Sequence, residues 1–76
     1  MTKAIIHELF RGHITTVRKN QVIICIGYVD APENFKKYTK EEEEEITDIC
    51  KECGFDFHIE EKKEYGLTIK RIRFEI

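Results

Sequence analysis

Apolar positions fall into six patterned stretches along this chain, and the stretch Thr39 to Gly54 is the most completely specified of them. Ile46, Ile49, Cys50 and Cys53 recur at i, i+3, i+4 and i+7, which draws one apolar stripe along a helix. Thr39 is a suitable N-cap, and Glu42 three residues on completes a capping box in which its carboxylate reaches back to the Thr39 amide. Glu41, Glu42 and Glu43 fall in the first turn, where the helix dipole favours negative charge, and Lys51 lies near the opposite end. Gly54 supplies the stop. Carried back toward the N-terminus, the stripe runs through Glu42 and Glu43, so the first turns are expected to overhang the core as an acidic knob in solvent.

His13 to Arg18 and Val22 to Val29 are rich in β-branched residues and separated by Lys19, Asn20 and Gln21, the pattern of a hairpin. The second run is apolar at almost every position, which implies burial on both faces or a place at the centre of the sheet, and Gly27 interrupts it as a bulge or at a close approach of the helix. Asp30 to Tyr38 crosses to the helix, with Phe35 and Tyr38 pinning the loop. After Gly54, Phe55, Phe57 and Ile59 alternate with Asp56, His58 and Glu60 as a half-buried strand, and the polar run Glu60 to Glu64 with Tyr65-Gly66 is read as a turn. The last strand, Leu67 to Ile76, changes phase between Ile69 and Ile72, and a bulge near Lys70 and Arg71 would bring its apolar residues to one side. Residues 2 to 10 fit a short helix or a strand. The adjacent β-branched Ile5 and Ile6 favour strand, because nine residues make a marginal helix.

These elements predict one domain over residues 1–76, of the α+β class. A four- or five-stranded antiparallel sheet carries one main helix, at about residues 40 to 53, on one face, in the order hairpin, helix, hairpin. A chain of 76 residues has a thin core. No apolar run approaches the ~20 residues that span a bilayer, and the N-terminus does not read as a signal peptide, so a cytoplasmic protein is expected. Three cysteines without a framework suit reduced thiols.

Charge adds an asymmetry. Residues 31–64 carry a net charge of -6, and the segments on either side carry +2 each. The acidic middle includes Glu41, Glu42, Glu43 and Glu45, which at the helix tip could occupy a basic surface on a partner protein. The basic flanks offer Arg11, Arg18, Lys19, Lys70, Arg71 and Arg73 as phosphate contacts, the alternative of a nucleic-acid-binding module. Cys50-x-x-Cys53 has half the spacing of a zinc site, and His58 is the nearest further ligand in sequence, which makes a zinc-stabilised domain a second alternative. Both cysteines lie on the apolar stripe, where core packing is the simpler role. No phosphate-binding glycine loop, nucleophile elbow or metalloprotease helix occurs. The sequence therefore points to a small non-enzymatic protein-binding module, a regulator or inhibitor of phage or mobile-element type, that needs no cofactor and acts through the acidic helix tip and a sheet edge. A bare C-terminal strand would also let two copies pair into a homodimer.

Overall fold

A computed structural model describes residues 1–76 as two helices and four strands in the order α1 (Lys3–Leu9), β1 (Ile14–Arg18), β2 (Gln21–Tyr28), α2 (Lys40–Cys53), β3 (His58–Glu64) and β4 (Leu67–Glu75). The strands form one antiparallel sheet in the order β1-β2-β4-β3. Two hairpins thus flank α2, as the hydrophobic pattern requires. Strands β2 and β3 run parallel to each other with β4 inserted between them, so β2-α2-β3 is a split βαβ unit. No helix is long and apolar enough to cross a membrane.

Both helices contribute to one core on one face of the sheet. Ile6 and Phe10 from the α1 segment, Ile46 and Cys50 from α2, and Val17, Val22, Ile24, Ile26, Ile72 and Phe74 from the strands form a single buried cluster. Within it Phe74 is tilted against Phe10 at 5.8 Å, and the partly buried Phe55 stacks on it at 4.4 Å.

The first ten residues correct the strand expected there. Residues Lys3–Leu9 are helical, the Thr2 hydroxyl accepts from the Ile5 amide at 3.3 Å, and Ile6 and Phe10, four apart, are buried. Ile6 and Phe10 lie on one helical face and pack against the sheet, which outweighs the β preference of two adjacent isoleucines.

The turn before β4 is also shorter than the polar run suggested. Residues Glu60 to Glu64 belong to β3, which hydrogen-bonds along its whole length to β4, and only Tyr65 and Gly66 make the turn, at φ 54° and 74°. Positive φ at both positions is the geometry whose twist matches a two-residue hairpin. Being an edge strand with an uncovered face, β3 tolerates charged side chains that a central strand would exclude. Phe55, Asp56 and Phe57, expected as its first residues, instead form an irregular link.

The bulge lies in β2, not in β4. Cys25 pairs with Arg71 and Gly27 with Lys70, leaving Ile26 as the extra residue, whereas β4 pairs with β3 in unbroken register. Lys70, Ile72 and Phe74 therefore face the helices, while Leu67, Ile69, Arg71 and Arg73 face the side without a helix, where Ile69 is nonetheless buried. The C-terminal strand is an interior strand with β2 and β3 on its two sides, so its edge is closed to a second copy; the open edges belong to β1 and β3.

Candidate functional site

The first turn of α2 is anchored, not projecting. Thr39 caps it as expected, accepting from the Glu42 amide at 3.2 Å, and Gly54 closes the far end at φ 75° with its amide on Lys51. The Glu42 side chain does not complete the capping box. It turns to the loop and to the residue before β1, where it meets Lys36 and lies 2.8 Å from His13 Nδ1. Nε2 of the same histidine lies 3.6 Å from Glu45, and the His13 side chain is only 10% exposed.

Glu43 is buried more deeply, with 6% of its side chain exposed. Its carboxylate accepts from Tyr38 Oη at 2.9 Å and from Lys40 Nζ at 2.7 Å, and Lys70 Nζ lies 3.3 Å away from it and 4.5 Å above the Tyr38 ring. Tyr38, Lys40, Glu43 and Lys70 thus tie together the crossing loop, the start of α2 and the central strand β4. The solvent-facing knob expected at Glu42 and Glu43 is corrected: both occupy stripe positions, Glu43 is buried and Glu42 half-buried, and cations and donors meet each of them there. Glu41 and Glu45 do remain exposed.

This lock governs the carboxylates. The hydrogen bond from Lys40 holds Glu43 below its ordinary value of 4.5 against the opposing effect of burial, with Tyr38 and Lys70 adding to it. Burial pushes Glu42 up, but the bonds from Lys36 and His13 outweigh it and leave it lowered. A depressed folded-state pKa contributes stability that is present above the unfolded value and is lost as pH falls through the folded one. Stability from urea unfolding should therefore hold as pH falls to about 4.5 and decline below it as both groups protonate; an unchanged midpoint down to about pH 3 would show that the lock contributes nothing.

The basic residues do not gather into one patch. Lys70 lies on the helix-covered side with Glu43, whereas Arg71 and Arg73 lie on the open side and share Glu60, at 2.6 Å and 3.3 Å. Arg11 pairs with Glu8 on its own short helix. Arg18 and Lys19, at the β1-β2 turn, have no ion pair. The strand phase is what divides the set, since Lys70 and Arg71 are neighbours in sequence but point to opposite faces.

Cys50 and Cys53 are also separated in environment. Cys50 is fully buried in the core, Cys53 is exposed in the last turn of α2, and His58 is exposed at the start of β3. No three histidine, cysteine, aspartate or glutamate side chains converge as a metal-binding set. Burial pushes the Cys50 thiol up to about 11 and also raises Cys25. A thiol reagent near pH 8 should accordingly label Cys53 first, with Cys50 slower by about a hundredfold or more because little thiolate forms and access requires opening of the core. Equal labelling of Cys50 and Cys53 in the folded protein would contradict this.

On its other face the sheet has no helical cover. Alternation places Ile14, Thr16 and Arg18 of β1, Ile23, Cys25 and Tyr28 of β2, Leu67, Ile69, Arg71 and Arg73 of β4, and His58, Glu60 and Lys62 of β3 on that side. Ile14 is 55% exposed there, and Tyr28 meets Phe35 of the crossing loop edge-to-face at 5.1 Å. An apolar strip from Ile14 and Ile23 through Cys25 to Tyr28 consequently runs beside the Arg71-Glu60-Arg73 network. This surface was not legible in the sequence, because a nearly continuous apolar run suits burial on both faces as well as a place at the centre of the sheet.

Fold and surface define the chain as a two-layer α+β domain with helices on one side and an uncovered, partly apolar sheet face on the other. Comparison with protein-family models, with curated proteins and with solved structures finds no match.

Proposed function

We propose that this chain is a small non-enzymatic protein-binding module, a regulator or inhibitor, whose contact surface is the uncovered face of the sheet. The observation that carries the reading is the Ile14-Ile23-Cys25-Tyr28 strip, exposed or half-buried on a face that no helix covers. Apolar area of this kind supplies affinity, and the adjoining Arg71, Arg73 and Glu60 supply polar contacts at its rim. Glu41, Glu45, Asp48 and Glu52 lie exposed at helical spacing on the outer side of α2. That hydrated stripe has no apolar neighbour exposed within it, so its contribution is to steer a basic partner and not to hold it.

Immobilised protein, used to capture partners from its own cells, tests the assignment. Ile23→Lys, placed in the middle of the strip, should abolish capture of the partner that wild type retains, with the thermal melt still cooperative. Glu41→Lys combined with Asp48→Lys should leave capture at equilibrium intact. Loss of capture only in the helix variant would move the binding surface to α2.

A further inference from the structure

Two edges of the sheet are open, and they differ in chemistry. In β3, Glu60, Glu61, Lys62, Lys63 and Glu64 are five consecutive charged residues, a composition that discourages strand-to-strand association. β1 is Ile-Thr-Thr-Val-Arg, with high β propensity and no charge before its last position. The two-residue turn closes with Arg18 opposite Gln21, so Arg18, Thr16 and Ile14 exchange hydrogen bonds with β2. The amides and carbonyls of Thr15 and Val17 then point outward. None of the backbone hydrogen bonds made in turns, loops or caps ends on residues 14–18, so no other backbone pairs with this edge.

We infer that a second copy of the chain pairs antiparallel with β1, along this outer edge, about a two-fold axis at Thr16, joining two four-stranded sheets into one of eight strands. The register follows from the outward-facing groups. Thr15 of each copy exchanges hydrogen bonds with Val17 of the other, Thr16 faces Thr16, and Ile14 faces the aliphatic stem of Arg18. A threonine pair on the axis brings no like charges together.

Charge complementarity at the strand ends selects this occupant over an arbitrary extended peptide. The same register sets Lys19 of one copy opposite His13 of the other. Lys19 has no ion pair in its own chain, and His13 lies 2.8 Å from Glu42 and 3.6 Å from Glu45, whose side chain is 67% exposed. Glu42 is already met by Lys36, so two-fold symmetry places a free lysine near the exposed Glu45 twice, once at each end of the joint. A foreign strand would have to supply both features itself. The pairing does not rest on the partner-binding reading, because it uses the edge of the sheet and, of the apolar strip, covers Ile14 alone, leaving Ile23, Cys25 and Tyr28 free.

A five-residue joint is a small interface, so a dissociation constant on the order of 10 to 100 µM is expected. Sedimentation equilibrium of the untagged chain should show the mass rising from 9.1 kDa toward twice that as concentration passes through this range. Over the same range, hydrogen exchange at the Thr15 and Val17 amides should slow. Lys19→Glu and Glu45→Lys should each weaken association about tenfold, and the double variant should recover it, since the two charges are exchanged. Thr16→Lys should abolish association by setting two lysines on the axis, with the thermal melt of the monomer retained. Mass remaining at 9.1 kDa throughout would overturn the inference. So would a dimer in which Thr15 and Val17 exchange unchanged and Lys19→Glu has no effect, because its joint would lie elsewhere.

Discussion

Gly27→Ala should destabilise this protein by about 3 kcal/mol or more, enough to leave a 76-residue domain close to its unfolding threshold. A β-carbon at this position would lie 2.6 Å from the Tyr38 nitrogen and 2.7 Å from the Lys37 carbonyl carbon, both backbone atoms. Rotamer change cannot relieve such a clash. Gly27 also has φ +151°, where L-residues are strained, because it directly follows the bulged Ile26. The backbone that would have to move is itself bound: the Tyr28 amide donates to the Lys36 carbonyl at 2.9 Å and the Tyr38 amide to the Tyr28 carbonyl at 3.0 Å. Equilibrium urea unfolding measures the loss. Gly66→Ala serves as the control, because no atom lies within 4 Å of its added methyl and only the strain of φ +74° is at stake, for a cost of about 1 kcal/mol. Equal losses in the two variants would mean that the loop gives way without resistance.

Glu43→Ala should cost about 3 kcal/mol and lower the melting temperature by about 15 °C. Removing this carboxylate leaves the Tyr38 hydroxyl and the Lys70 ammonium without their acceptor, and both groups are half-buried, so water replaces it only in part. Its neighbour gives the contrast. Glu44 is exposed and its side chain has no partner, so Glu44→Ala should change stability by less than about 0.5 kcal/mol. A composition-based account of the five glutamates predicts equal effects at both positions. The effects of Gly27→Ala and Glu43→Ala should also be less than additive. Both act through Tyr38, one by displacing its backbone and the other by removing the acceptor of its hydroxyl.

Much of this architecture was written locally. The start and stop of α2, the β1-β2 hairpin and the Tyr65-Gly66 turn depend on residues a few positions apart, and their caps and turn conformations appear where those residues stand. Errors arose where long-range packing decided. Residues Lys3–Leu9 favour strand by local preference, and it is the packing of Ile6 and Phe10 on the sheet that makes them helical. Glu60 to Glu64 had the composition of a turn but took the place of an edge strand.

The buried lock left a trace that a closer reading of phase would have found. Lys70, Ile72 and Phe74 alternate onto one side of β4, so an unbroken strand sets a lysine on the core face, and the α2 stripe extends to a glutamate at position 43. A cation on one packing face and an anion on the other are complementary. A bulge at Lys70 and Arg71 would break that match, because it would move the lysine out of the core. The true bulge lies across the ladder at Ile26, where Gly27 had already marked an irregularity.

By itself the sequence determined the α+β class, the limits of α2 and the hairpin-helix-hairpin order, because capping, turn chemistry and hydrophobic period act over a few residues. Tertiary structure alone decided that Glu42 and Glu43 are anchors, that Lys70 parts from Arg71, and that β4 is interior while β1 is an open edge. Those outcomes depend on which elements meet: a carboxylate stays buried only when donors from elsewhere in the fold reach it, and an edge exists only once strand order is set.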